Sequence, residues 1–119
     1  MTATVPTVIS DEMRRCIDNC LSCHAVCEAT LSYCLAHDGA HADRNGVLLL
    51  LDCAEICRTS AGFLLRGSSL HPETCRACAT ICAACADWCE SVSRDAVMKQ
   101  CATTCRECAQ SCTEMANMH

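Results

Sequence analysis

The sequence predicts an all-α fold, an antiparallel up-down-up-down four-helix bundle with a cysteine-lined core. Three observations predict it. Sixteen cysteines recur along the 119-residue chain at steps dominated by three, four and seven residues, which return a side chain to one helix face. Glycine and proline number only four and two, and most of them fall in short breaks. Leu, Ile, Val and Phe together make only 21 residues, near the low fraction of chains that do not fold. The sixteen cysteines and 17 alanines must therefore supply the core, since free cysteine behaves as a small hydrophobe.

Residues 1–10 read as a flexible N-terminal segment and 11–119 as one domain. Ser10 followed by Asp11 and Glu12 is a helix start, a cap with acids in the first turn, and opens a helix over 11–37. The stretch Asp38 to Gly46 breaks it. A second helix over 44–66 ends at RGSSLHP, Arg66 to Pro72, where a glycine suits a C-cap and a proline suits a first helical turn. Ser91 to Asp95 offers a tight turn between helices over 72–91 and 94–117. Connections this short make successive helices antiparallel neighbours.

At 100° per residue, Cys16, Cys20, Cys23, Cys27 and Cys34 fall within an arc of about 60° on the first helix. Cys75, Cys78, Cys82, Cys85 and Cys89 span about 80° on the third, and Cys101, Cys105, Cys108 and Cys112 about 60° on the fourth. The second helix contributes Cys53 and Cys57, with leucines nearby. All sixteen occupy the inward stripe that a coiled coil fills with leucine. Beside the cysteines of the third helix, Ala77, Ile81, Ala84 and Trp88 form a second apolar strip. It either packs within the monomer or forms a subunit interface containing Trp88.

Composition excludes several classes. A net charge of −5 and pI near 5.4 leave no basic patch for nucleic acid. The longest aliphatic run, Val47 to Leu51, is far too short to span a membrane. No signal-peptide pattern is visible at the N-terminus, and the Arg14-Arg15 pair is followed by CIDNCLSCH, which is no export segment. The expected compartment is the cytosol, where cysteine clusters more often bind metal than form disulfides.

In-helix disulfides are strained: Cβ atoms at i and i+4 stand ~5–6 Å apart, and a disulfide needs about 3.5–4.5 Å. A metal ion between two sulfurs removes the strain. With the zinc–sulfur length as a proxy, a linear S–metal–S unit spans about 4.6 Å. Cu(I) prefers soft thiolates. About sixteen Cu(I) would neutralise sixteen thiolates, whereas four Zn²⁺ would leave roughly −8 in the core, with no basic residue on the stripes. The sequence therefore points to many Cu(I) ions per chain. A zinc-binding helical protein and a copper chaperone are the alternatives. No nucleophile–base set of an enzyme is visible.

CIDNCLSCHAVC, the later Cys34, CAEIC, CRACATICAACADWC and CATTCRECAQSC together strongly resemble the cytosolic bacterial copper storage proteins, from Asp11 to His119. The resemblance implies a four-helix bundle assembled as a tetramer, holding many Cu(I) ions through these cysteines for storage or sequestration. Exported members of the family carry a leader peptide; with no signal-peptide pattern visible here, the resemblance implies the cytosolic branch. The thin cysteine content of the second helix departs from the family pattern and leaves the copper number open.

One bundle end gathers soft donors. Met13 extends the first stripe, Met115 and His119 extend the fourth, and His71 lies in the 2–3 connection. These four read as further copper ligands at a mouth, although Met13 and Met115 could simply finish the core. Leu31, Leu35, Leu48 to Leu51, Val92 and Val97 read as a plug at the other end. His24 sits at the edge of its stripe and could add a ligand, but it faces a neighbouring helix or solvent more readily. His37 and His41 read as solvated loop residues.

Overall fold

The computed structural model describes residues 9–117, and the segment expected to be flexible lies mostly outside them. Among the described residues there are four α-helices: α1 (Asp11–Leu35), α2 (Arg44–Leu65), α3 (His71–Val92) and α4 (Ala96–Asn117), with a 3₁₀ turn at Gly39–Ala42 before α2. Ser10 Oγ accepts the Met13 amide at 3.2 Å and starts α1. The helix ends at Leu35 rather than at residue 37, where the His37 amide turns back to the Cys34 carbonyl. Asp43 caps α2 through the Gly46 amide, 3.3 Å. Gly67 takes a left-handed φ of 64° just beyond α2, a conformation that suits a residue without Cβ. Pro72 sits in the first turn of α3, where its missing N–H is not needed. Asp95 Oδ1 accepts the Met98 amide at 2.9 Å and caps α4.

The helices pack in a ring, α1 on α2, α2 on α3, α3 on α4 and α4 on α1. Cross-helix pairs fix their directions. Along α1 and α4, Cys16 meets Cys112, Cys27 meets Cys105 and Cys34 meets Met98, so one number rises as the other falls. Between α2 and α3 the pairs are Cys53–Cys82, Cys57–Cys78 and Ser60–Cys75. On the α3–α4 surface, Arg106 bridges Asp87 and Glu90 at 2.6 and 2.7 Å. The bundle is antiparallel throughout.

Within its strip, Trp88 packs against its own chain, while Ala77 stays exposed and Ile81 half-buried. A methyl placed on Gly46 would overlap the six-membered part of the Trp88 ring, so Trp88 lies directly on the α2 backbone of its own chain. The plug is smaller than the sequence suggests. Leu50 is fully buried, but Leu35, Leu48 and Leu51 are 60%, 38% and 42% exposed. Consecutive residues on a helix point 100° apart, so of Leu48 to Leu51 only Leu50, three before Cys53, fully joins the stripe. Leu31 and Val92 are half-buried against the core.

Candidate metal centre

Every one of the sixteen cysteines is completely buried and every one is a free thiol. Most of their sulfurs join in one column of close contacts, while Cys34 meets the Met98 thioether. Near the N-terminus of α1, Cys16 and Cys20 both contact Cys112 at 3.6 Å. Cys20 also receives Cys108 at 3.7 Å. Cys57 then approaches Cys82 at 3.5 Å and Cys78 at 3.7 Å. Cys23 is shared among Cys27, Cys53 and Cys105 at 3.7–3.9 Å. The two cysteines of α2 are thus central, each touching sulfurs of at least two other helices. Their small number does not interrupt the column.

Four-sulfur groups recur along it: Cys20, Cys78, Cys108, Cys112; Cys23, Cys53, Cys57, Cys82; Cys27, Cys85, Cys101, Cys105. Others overlap these, such as Cys57, Cys78, Cys82, Cys108. Within each group the sulfurs lie within 4.8 Å of one another. That range includes the separations of about 4.0 and 4.6 Å needed by trigonal and linear S–metal–S units with bonds near 2.3 Å. Cys23, Cys27, Cys53, Cys57, Cys78, Cys82, Cys105 and Cys108 each belong to more than one group, so each of these can bridge two ions.

Thiol ionisation follows the same network. Hydrogen bonds from Cys108, Cys112 and Cys16 lower Cys20 to about 6. Cys105 likewise pulls Cys23 down, and Cys108 pulls Cys78 down. Cys108 holds both Cys57 and Cys112 well above the ordinary thiol range. At the far end, burial raises Cys34 to about 11. An occasional thiolate is thus solvated by neighbouring thiols, but many together require compensating cations. Among the described residues the buried polar side chains are Thr30, Ser60 and Ser111, none of them cationic. Three tetrahedral zinc ions in the three separate groups would leave roughly −6 inside the bundle. Cu(I), at one charge per thiolate, would leave none.

The soft donors expected at the mouth are placed as follows. Met115 is fully buried and Met13 half-buried against the core. His71 is half-buried at the start of α3, beside Cys75, whose thiol stays raised because the lowering by Cys112, Ser60 and His71 is outweighed by Cys16 and burial. Its buried Nδ1 is the single buried side-chain nitrogen or oxygen among the described residues without a hydrogen-bond partner. Cys75 also meets Ser60 Oγ at 3.5 Å. His119 lies outside the described residues. His24 turns to α2, where its Nδ1 donates to the Ala54 carbonyl at 2.8 Å. His37 is exposed, but His41 is not the solvated residue expected. Its side chain is 18% exposed and its Nε2 contacts Asp95 Oδ2 at 2.9 Å.

Sequence reasoning missed two residues. Met98 is fully buried and takes the Cys34 thiol at 3.7 Å. It stands three residues before Cys101, mirroring Met115 three after Cys112. Asp95 collects Tyr33 at 3.1 Å, Ser93 at 3.0 Å and His41 on one oxygen, closing that end of the bundle.

The sequence matches the copper storage protein family over residues 9–117. The chain belongs to that family. Among solved structures, a protein of Nitrosospira multiformis is 39% identical, with a TM-score of 0.84 over 91% of this chain and 97% of that one. The Cu(I)-bound copper storage protein BsCsp3 is 29% identical, with a TM-score of 0.83 over 89% and 99%. The Streptomyces lividans copper storage protein Ccsp, solved with 10 copper equivalents, is 31% identical, with a TM-score of 0.84 over 98% and 92%. The Streptomyces protein is described as cytosolic in a copper-loading structure with five coppers.

Proposed function

We propose that this protein stores or sequesters Cu(I) in the cytosol, many ions per chain, in its column of cysteine sulfurs. The observation that carries the reading is the complete burial of sixteen free thiols, most of them in one sulfur network, with no buried cation among the described residues. Each incoming Cu(I) releases a thiol proton and takes its place, so the core stays near neutral at every stage of filling. The likeness to copper-loaded relatives supports the cargo, and the cytosolic Streptomyces relative supports the compartment. The role is binding rather than catalysis. Covalent chemistry needs an activated nucleophile open to substrate, and these thiols are all inside.

Met13, Met115, His71 and His119 form the mouth in this proposal. The unpartnered Nδ1 of His71 supports it, because a neutral imidazole there can accept a proton or a metal ion. Thioether and imidazole donors carry no charge and pass copper inward to thiolates, where binding is stronger. Assembly of identical chains is also proposed. It is supported by a mainly apolar groove on α3 lined by Glu73, Arg76, Ala77, Thr80 and Ile81. The test of the cargo is metal choice. Reduced protein dialysed anaerobically against equal Cu(I) and Zn²⁺ should retain copper alone. Retention of three or four zinc ions would replace this reading with zinc binding.

A further inference from the structure

Cys34 stands apart from the other thiols of α1. It follows Cys27 by seven residues, two turns or about 10 Å, and the intervening stripe position belongs to buried Thr30. Its thiol hydrogen-bonds to a thioether, Met98 Sδ, at 3.7 Å, and both side chains are fully buried. Leu50 is fully buried on α2 three residues before Cys53, so that helix brings only hydrocarbon to this end. Outside the pair, Asp95 joins Tyr33, His41 and Ser93 by hydrogen bonds of 2.9–3.1 Å. These groups separate the two sulfurs from solvent.

We propose that Cys34 and Met98 form a separate terminal Cu(I) site at the closed end of the bundle, a mixed thiolate–thioether site. It rests on the copper-storage reading above. Cysteine and methionine are both soft ligands of the kind that select Cu(I). Their 3.7 Å separation is within a few tenths of an ångström of the ~4.0 Å that two ligands of a trigonal ion require. Cys101, one turn along α4 from Met98, and Cys85 of α3 are thiols whose charge also acts on Cys34. The charge balances at this spot: Cu(I) binds, the Cys34 proton leaves to water, and the thioether adds no charge and expels none. Zn²⁺ would leave a net positive charge here with one thiolate. Because a thioether binds more weakly than a second thiolate, this site fills after the all-cysteine column. Met98 and Met115 thus cap the α4 stripe at opposite ends with different duties, Met98 in a closed site and Met115 at the mouth.

The experiment uses the full chain with ¹³C-labelled methionine methyl groups, reduced and titrated anaerobically with Cu(I), and native mass spectrometry on the same samples. The Met98 methyl, assigned by its loss in Met98→Leu, should shift as loading nears completion. The Met98→Leu variant should saturate about one Cu(I) per chain lower, with apolar volume nearly preserved. A Met98 methyl unmoved at full loading overturns the site while leaving storage intact. So does an unchanged capacity in Met98→Leu. Should the variant fail to fold, the Met98 methyl is assigned by through-bond correlation in uniformly labelled parent protein, and its response then decides alone. Loading that stops at one or two ions overturns the storage reading instead, and the same methyl then shows whether one of those ions sits here.

Discussion

Gly46→Ala is the sharpest structural test of how α2 meets α3. Gly46 is buried in the first turn of α2, and a Cβ there would occupy the space of the Trp88 indole. Alanine gains at most about 1 kcal/mol over glycine in a helix. Forcing a methyl into a packed site costs about 1–3 kcal/mol, and the upper end applies because the obstacle is a ring held between helices. The net loss is about 2 kcal/mol. At about 2.1 cal/mol/K per residue, a chain of 119 residues unfolds with roughly 250 cal/mol/K, so Tm should fall by about 8 °C. Thermal circular dichroism of reduced, metal-free protein measures it, and the fluorescence of the one tryptophan should change with it. Gly62→Ala is the control. A methyl there meets only the flexible end of Arg66, at 3.1 Å, so Tm should hold or rise. Trp88→Leu should remove most of the Gly46→Ala penalty. A Gly46→Ala protein as stable as the parent would refute the packing of Trp88 on its own chain.

Three further outcomes follow from the site and its surroundings. Met13→Leu with Met115→Leu should reach nearly the same copper loading but change the rates of uptake and of removal by a chelator. Unaltered rates, with faster exchange in a Leu50→Ala variant, would place the mouth at the other end. The Asp95 carboxyl is held well below the usual carboxylate range, first by the Met98 amide and then by His41, with Ser93 and Tyr33 adding to it. A carboxylate lowered on folding contributes stability that is complete above its unfolded value of about 3.9 and is lost as pH falls through the native value. Asp95→Asn should therefore lower Tm at neutral pH and flatten the acid side of the stability profile. An unchanged acid limb by urea unfolding would contradict this. Reduced apo-protein should give a helical far-ultraviolet spectrum, because protonated thiols already fill the core; a coil-like spectrum would show that copper creates the fold.

The bundle was legible because cysteine here does the work of leucine, and its spacing reports the helix face directly. Sixteen positions at steps of three and four leave little freedom in where the core lies. Boundaries were less so: α1 stops two residues short of His37 because its last turn is closed by its own backbone. The leucine run misled because one-dimensional hydrophobicity ignores the 100° turn between neighbours. Met98 was readable in principle, being in step with Cys101 and Cys105, but it vanishes when only cysteines are counted. His41 and Asp95 could not be paired from sequence. They lie 54 residues apart, and only the closing of the ring of helices brings the 3₁₀ turn over the start of α4.

The central claim is that the sulfur column holds copper as a store, and the most direct measurement is the number of Cu(I) ions per chain. Reduced protein is titrated anaerobically with Cu(I) against a competing chelator and weighed by native mass spectrometry. Sixteen thiols that bridge neighbouring ions should take up on the order of ten or more Cu(I) per chain, with the helical spectrum unchanged. Saturation at one or two ions would contradict storage and leave a copper chaperone as the better description.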